Sequence, residues 1–349
     1  MNRPTRHTLL AAPAALLLTL SIAAQPVDQR DLDNLTSEDV ELVLAARPDI
    51  LDVIGNPGLS VGDRLQAAGQ LVDPVRSLVE SDDELLEVNG LLLAGALVTP
   101  DAMELIESGF ESDKPGVRYE ATRALRTTFT ILGSQRTPSL QAQEVSRQIK
   151  ALADVLRHDP DPYVSEGAAR ALVAAANMND QRLDAIAQRA FSELALGSAE
   201  RMQTIGDLPE GQRRGIIRIA MITNFNLRKI LQDRKRNLEA QHVIDAATVA
   251  GDSLAYAYGR FQDSGRKIDA IDPEEREAIA QLIGTSELVV YFARTRLERQ
   301  PERTALRDAF ASGKDRDFNR GILSLIGSSG VLCNAPFGLD AERFIPSGG

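Results

Sequence analysis

The residue pair whose spacing is closest to a known metal-binding arrangement is Glu239-Ala-Gln-His242. A glutamate and a histidine three residues apart share one helical face, and carboxylate-bridged metal bundles use two such pairs with further carboxylates. The sequence contains one pair of this kind. We therefore interpret His242 as a histidine on a helix surface, and the sequence predicts no cofactor at this position.

A second group with possible metal or acid–base chemistry is His158-Asp159-Pro-Asp161. A histidine in the last turn of a helix also interacts favourably with the helix dipole, and an aspartate commonly caps the next helix. We favour this structural interpretation. The metal-binding motifs His-Glu-x-x-His and Cys-x-x-Cys are missing from the sequence, and we expect no catalytic motif in the chain.

Charge is distributed unevenly along the chain. Residues 25–120 hold 21 acidic and 6 basic side chains, whereas residues 121–349 hold 29 acidic and 31 basic side chains. A basic run in the second part is either the solvated side of a long helix or a surface for an acidic protein partner. The run comprises Arg213, Arg214, Arg218, Arg228, Lys229, Arg234, Lys235 and Arg236.

The same charge pattern bears on the kind of partner. The chain is acidic overall, with a net charge of −11, and only 4% of its residues are aromatic. Nucleic acid is therefore a poor match. Oppositely charged ends also allow head-to-tail self-association.

The sequence contains an internal repeat with an offset of 47 residues. Asp113 and Asp159 precede the two copies, and we expect their carboxylates to accept hydrogen bonds at the helix N-termini. The matched residues line one helical stripe of small and apolar side chains, which predicts close helix packing. The first copy contributes Val117, Ala121, Arg123, Ala124 and Leu125, and the second contributes Val164, Ala168, Arg170, Ala171 and Leu172.

Each copy comprises a helix, an Asp/Pro turn and a second helix, and it resembles HEAT and armadillo repeats, whose length is roughly 40–47 residues. The residues that carry the resemblance are Asp113, Val117, Arg118, Ala121, Ala124 and Leu125. The second copy has Ser165 where the first has Arg118. The resemblance implies an all-α fold, a HEAT-like α-α superhelix followed by longer helices. An irregular helical bundle is the alternative.

The N-terminal residues have the composition of a secretory signal peptide. Arg3 and Arg6 precede an apolar stretch from 9 to 24, which is shorter than the roughly 20 residues that a membrane span needs. We expect export to the periplasm or the cell exterior, with an uncleaved N-terminal anchor as the alternative. No later stretch is long and apolar enough to predict a membrane span. Cys333 is the single cysteine, and its apolar neighbours predict burial.

Five segments follow from these patterns. Residues 211–261 lack proline and predict one very long helix, or two helices that break near Gly251. Asp272-Pro-Glu-Glu predicts the start of another long helix. The predicted segments are a signal peptide at 1–24, a flexible leader at 25–36, HEAT-like repeats at 37–205, a long-helix region at 206–330 and a C-terminal tail at 331–349.

These features predict an exported, non-enzymatic binding or scaffold protein that holds an acidic protein on an extended helical surface. The alternative hypothesis is an enzyme or a small-ligand receptor whose site lies in the helices of residues 210–300. Fold class does not separate these hypotheses, because function depends on sites carried by a fold. They differ in whether Glu239 and His242 converge with other polar groups in a closed pocket.

Overall fold

The computed structural model describes residues 27–37, 39–298 and 301–345, and these form fourteen α-helices, five short 3-10 helices and no strand. The predicted signal peptide lies outside the described residues. The α-helices are α1 Gln29–Leu35, α2 Val40–Ile54, α3 Val61–Val79, α4 Glu84–Leu97, α5 Pro100–Phe110, α6 Pro115–Ser134, α7 Ala142–His158, α8 Pro162–Ala176, α9 Asp184–Gln203, α10 Glu210–Gln232, α11 Ala240–Asp263, α12 Pro273–Leu297, α13 Leu306–Ala311 and α14 Asp315–Ile326.

The helices stack as successive pairs in two layers. Each even-numbered helix from α4 to α12 packs beside the next even-numbered one, and α5, α7, α9 and α11 form the second layer. The apolar core between the layers is one continuous cluster that extends across residue 205. The prediction of an all-α, helical-repeat-like fold is therefore confirmed, and the helices lengthen to 23, 24 and 25 residues at α10, α11 and α12.

The repeat residues form the buried stripe that their spacing predicts. The valine, alanine and leucine positions of both copies are at most 2% exposed. They lie at equivalent places on two neighbouring helices, and each copy turns its stripe toward the core. The stripe comprises Val117, Ala121, Ala124 and Leu125 of α6 together with Val164, Ala168, Ala171 and Leu172 of α8.

Small residues permit close approach between neighbouring helices, as where Gly95 of α4 meets α6. A Cβ atom on Gly95 would lie 2.7 Å from the Cα atom of Ala124. The first repeat copy can thus pack its backbone almost directly against α4.

An ion pair joins the two repeat copies. The Nε atom of Arg118 donates to Oδ2 of Asp159 at 2.7 Å, and both side chains are largely buried. Ser165 occupies the place of Arg118 in the second copy, and Arg201 of α9 compensates for the missing guanidinium. Its Nη2 atom donates to Ser165 Oγ at 2.8 Å and to the Asp159 carbonyl at 2.7 Å. Arg201 of α9 therefore supplies the guanidinium that the second repeat copy lacks.

The predicted capping role of Asp113 and Asp159 is wrong. Lys114 is the N-cap of α6 and makes no side-chain cap, while the Asp113 carbonyl accepts from Arg118 at 3.2 Å. The carboxylate of Asp161 caps α8 by accepting from the backbone N–H of Tyr163 at 2.7 Å. Asp159 instead accepts from Asp161 N at 2.8 Å and holds Arg118. The Asp159 carboxylate therefore joins the two repeat copies and does not cap a helix.

The break predicted near Gly251 is also misplaced. The chain leaves the helix at residues 233–239, between α10 and α11, and α11 continues through Gly251. A Cβ atom there would lie 2.5 Å from Cε1 of Phe344 and 3.0 Å from Cδ1 of Leu332. Glycine at this position thus makes room for the C-terminal segment within a continuous helix.

Both predicted end segments are more ordered than expected. The leader at 25–36 contains α1, whose Leu35 is 1% exposed. The C-terminal residues 331–345 pack against the helices through Leu332 and Phe344, and Arg343 forms an ion pair with Asp252 at 2.7 Å. The described parts of the predicted leader and C-terminal tail thus pack on the helices through their few large apolar residues.

Candidate functional site

The solvent side of the even-numbered layer carries a row of arginines and aromatic side chains. Successive turns of α6, α8 and α10 place these residues outward, because they are spaced three, four or seven residues apart. We call this surface the basic-aromatic face. Its residues are Tyr119, Arg123 and Arg126 of α6, Tyr163 and Arg170 of α8, and Arg214, Arg218, Phe225 and Lys229 of α10, all exposed.

The aromatic residues of this face are largely uncovered. Tyr163 is 62% exposed, Phe225 is 45% exposed and Tyr119 is 37% exposed. The Arg218 guanidinium stands 5.0 Å from the Tyr163 ring centre, and Lys229 Nζ stands 5.6 Å from that of Phe225. Such stacking holds the rings without covering them.

The arginines of α6, α8 and α10 outnumber the acids beneath them. Glu120 accepts from Arg123 at 2.7 Å, and Arg126 adds a second nearby positive charge. Burial raises the pKa of Glu120, although these arginines and Arg47 act in the opposite direction.

Glu166 also contacts two arginines. It pairs with Arg170 of its own helix at 2.8 Å and with Arg218 of α10. Two glutamates thus serve four arginines on the basic-aromatic face. The excess positive charge lies toward solvent, where it can act on an anionic surface.

The apolar residues that define the repeat are not part of this surface. Val164, Ala168 and Leu172 of α8 are 1%, 0% and 0% exposed, and their counterparts on α6 are 0% exposed. A partner cannot contact them in the folded protein. Their role is to pack the two layers, which leaves the opposite sides of α6 and α8 free to carry arginine and tyrosine.

The predicted basic run does not form one continuous surface. Arg214, Arg218 and Lys229 lie on the basic-aromatic face, and Arg214 pairs with Glu210 and Glu274, each at 3.3 Å. In contrast, Arg228 lines a separate cavity between α10 and α12.

The other members of the run have different positions. Arg213 donates to the Leu208 carbonyl at 2.6 Å, and Arg236 donates to the Met178 carbonyl at 2.8 Å. Both therefore hold loops in place. The last two members of the run, Arg234 and Lys235, lie exposed in the connection between α10 and α11.

The basic run along α10 gave no indication that α6 and α8 contribute to this surface. Arg123 and Arg170 are matched positions of the internal repeat, 47 residues apart. A repeated arginine on equivalent helices was therefore a usable signal. Tyr119 and Tyr163 offer no such signal, because one lies two residues after the repeat valine and the other directly before it.

The two candidate chemical clusters do not assemble. Glu239 is the exposed N-cap of α11, and neither it nor His242 lines the cavities of about 560 Å³ and about 700 Å³. His158 is exposed and meets Asp154 at 3.0 Å, whereas Asp159 turns to Arg118. The side chains of the second cluster therefore point to different partners.

A further catalytic spacing is present at the start of α3. Residues 58–62 read Gly-Leu-Ser-Val-Gly, the Gly-x-Ser-x-Gly spacing of hydrolases whose nucleophilic serine stands between a strand and a helix. Here a loop after α2 precedes Ser60, which is the N-cap of α3. Its Oγ atom accepts from Asp63 N at 3.1 Å and donates to Asp63 Oδ2 at 2.7 Å. Ser60 therefore forms a capping box, so the spacing has a structural explanation.

Cys333 is half-buried, and its Sγ atom lies 3.7 Å from the Ile326 carbonyl oxygen. Burial raises the pKa of this thiol, with Asp340 adding to the effect. Among the side chains that the structure describes, no three His, Cys, Asp or Glu residues gather closely enough to hold a metal ion. In the same part of the chain, no helix has the length and apolar character of a bilayer span.

Comparison with known proteins does not identify a family for this chain. No protein-family model matches the chain, and no curated protein matches it. Two similar solved structures are engineered proteins from the Northeast Structural Genomics Consortium. The match to the first is 13% identical and spans 74% of this chain and 96% of the engineered chain, with a TM-score of 0.38. The other is 15% identical, covers 77% and 99%, and has a TM-score of 0.35. Scores this low carry no argument, so the architecture rests on the helix packing itself.

Proposed function

We propose that the chain is an exported, non-enzymatic binding or scaffold protein that holds an acidic protein on its basic-aromatic face. The observation that carries the proposal is the outward row of arginines and exposed aromatic side chains on the neighbouring helices α6, α8 and α10. Arginine and tyrosine are among the residue types most enriched at the energetic centres of protein interfaces. The resemblance to HEAT and armadillo repeats, which present extended surfaces, supports the same conclusion.

The charge of the face argues for an acidic partner. Arg123, Arg170 and Arg218 keep their side chains at 46%, 44% and 45% exposure while contacting glutamates. Their unused N–H groups can donate bidentate hydrogen bonds to carboxylates of another protein. Positive potential also accelerates encounter with a negatively charged surface, and salt weakens this effect.

A capture experiment from the exported fraction of the source cells tests the proposal. The bait is the mature chain beginning near residue 25, compared with an Arg123→Glu/Arg170→Glu variant. We expect the parent to retain an acidic protein in a salt-sensitive manner and the variant to lose it. Sedimentation of the parent alone shows whether a second copy of the chain occupies the face instead.

The matched control is Arg316→Glu/Arg320→Glu, which changes the net charge equally on exposed positions of α14. This control should retain the partner, because α14 lies outside the basic-aromatic face. Circular dichroism checks that every variant keeps its helices. Equal capture by all three proteins, or no capture by the parent, contradicts the proposal.

A further inference from the structure

A cavity of about 560 Å³ lies between α10, α12 and the segment that leads into α13. Cavities of about 300–1,000 Å³ are the usual size of small-molecule sites. Its polar lining includes Gln281 and Thr285 of α12 and Thr304 of the following segment, while Met221 and Leu288 supply apolar wall. The cavity is thus large enough, and mixed enough in polarity, for a small organic molecule.

Three arginines converge on this cavity from different elements. Arg228 comes from α10, Arg303 from the connecting segment and Arg307 from α13. Across the described residues, none of the three guanidinium groups forms an ion pair or a side-chain hydrogen bond, unlike most arginines of this chain. Bringing three positive charges to one cavity without pairing them raises their mutual repulsion, which an anionic ligand would relieve.

Arg228 and Arg303 are supported from one side by aromatic rings. Arg228 stands 4.9 Å from the ring centre of Phe225, and Arg303 stands 5.8 Å from that of Tyr291. The Nε atom of Arg228 is buried and lacks an acceptor among the described residues. A buried N–H without an acceptor is unfavourable, so the protein itself leaves this guanidinium incompletely satisfied.

The nearest acids do not neutralise these arginines. Glu287 lines the cavity, but its carboxylate accepts from the backbone N–H groups of Leu306 at 2.9 Å and Arg307 at 3.4 Å. It is therefore engaged in fixing the start of α13. Asp308 also lines the cavity and is exposed to solvent. Three arginines against two acids leave the cavity with a positive excess.

We propose that this cavity, the arginine pocket, binds a small organic anion with two or more carboxylate or phosphate groups. Guanidinium groups donate paired N–H bonds to the oxygens of both kinds of group. The threonine and glutamine side chains supply further polar contacts, and the apolar wall accommodates a short carbon skeleton. The residues that line this cavity are not members of the basic-aromatic face, although Phe225 of that face supports Arg228 from outside the cavity.

Calorimetric titration of the intact mature protein with citrate and with pyrophosphate tests the proposal. We expect saturable 1:1 binding of at least one probe at low salt, and we expect Arg303→Gln/Arg307→Gln to weaken it about tenfold or more. The two probes distinguish a carboxylate ligand from a phosphate ligand. Acetate, with a single carboxylate, should bind far more weakly.

Arg316→Gln/Arg320→Gln is the matched control, since it removes two exposed arginines of α14 without touching the cavity. It should bind the probe as the parent does. Saturable binding of neither probe, or equal binding by the pocket variant and the parent, would overturn the proposal. The Arg123→Glu/Arg170→Glu variant should keep probe binding, so the two proposed sites can fail independently.

Discussion

Helices α4–α8 and helices α10–α12 have the same two-layer packing, but different contacts hold them. In the first region alanines and glycines bring helices close, and the Arg118–Asp159 ion pair joins the repeat copies. In the second region Asn224 is buried and donates to Ser253 at 3.2 Å and to Ser286 at 3.0 Å, linking α10, α11 and α12. One architecture is thus compatible with two kinds of interface.

The C-terminal segment extends this difference. Residues 331–345 pack on α11 where Gly251 removes a side chain, and Arg343 holds Asp252 through two hydrogen bonds of 2.9 Å and 2.7 Å. In the first region, Arg118 and Asp159 are 41 residues apart and join neighbouring repeat copies. The second region therefore depends on a contact between residues 91 positions apart, whereas the first depends on neighbouring repeats.

The largest effect is expected from Asp159→Ala, which removes the ion pair between the repeats. Arg118 and Asp159 have side-chain exposures of 13% and 6%, and losing one partner of such a pair costs about 4 kcal/mol because the other charge remains buried. Urea unfolding monitored by circular dichroism measures this loss. Asp154→Ala is the control, since that side chain is 76% exposed and should change stability by less than about 0.5 kcal/mol. Equal effects would mean that Asp159 does not hold the repeats.

Gly95→Val should cost about 3 kcal/mol, because its side chain would overpack the α4–α6 interface. The new Cβ atom meets the Cα atom and the carbonyl oxygen of Ala124 at 2.7 Å, and backbone atoms cannot move aside as a flexible side chain can. The unfolding midpoint in urea reports the change.

The control for this substitution is Gly69→Ala in α3, where nothing lies within 4 Å of the added Cβ atom. It should gain up to about 1 kcal/mol from helix propensity. If Gly95→Val unfolds at the parent's urea concentration, close approach is not what holds α4 against α6.

The stability of the second region should depend on pH through the titration of Asp252. Burial raises the pKa of Asp252 to about 6 from 3.8, against the opposing effect of Arg343. The folded state therefore binds this proton more tightly than the unfolded state. The resulting stability is fully present below pH 3.8 and is lost as pH rises through about 6, a loss of about 1 kcal/mol between pH 5 and pH 7.

Asp252→Asn tests this assignment, because asparagine does not titrate. The unfolding free energies of parent and variant, each measured at pH 5 and pH 7, isolate the contribution of this carboxyl from the other acids. We expect the parent to lose about 1 kcal/mol more than the variant over this interval. A constant difference between the two proteins would exclude the titration of Asp252 in this range.

The sequence predicted the first region better than the second for a physical reason. Helix contacts made by small residues require alanine at fixed positions, so the 47-residue offset is visible in the sequence. The contacts of Asn224, Ser253 and Ser286 join residues 29 and 62 positions apart and follow no period. Gly251 illustrates the same limit, since a glycine within a helix predicts a break unless the segment that packs against it is known.

The basic-aromatic face was predicted only in its α10 part for a similar reason. A run of basic residues is visible along one helix, but Arg123 and Arg170 join the surface through the packing of separate helices. Charge neutralisation is also invisible in sequence, because Glu166 pairs with Arg218 of a different helix. The arginine pocket likewise depends on how the segment after α12 returns to α10.

The smallest effects should come from the serines of the second region. Both hydroxyl groups donate to carbonyls of their own helices at 2.8 Å, Ser253 to Val249 and Ser286 to Leu282, and both oxygens accept from Asn224. Ser286→Ala removes one acceptor but leaves the other, and alanine is the better helix former, so the loss should stay below about 1 kcal/mol. The same holds for Ser253→Ala.

The double variant Ser253→Ala/Ser286→Ala should behave differently from the sum of the two. It removes both acceptors, so the buried Asn224 amide keeps no partner for its N–H groups among these helices. Its loss should exceed the sum of the single losses by roughly 0.5 kcal/mol. A double-mutant cycle from urea unfolding measures the excess. Additive losses would mean that Asn224 does not act as the shared donor, and the second region would then depend on apolar packing.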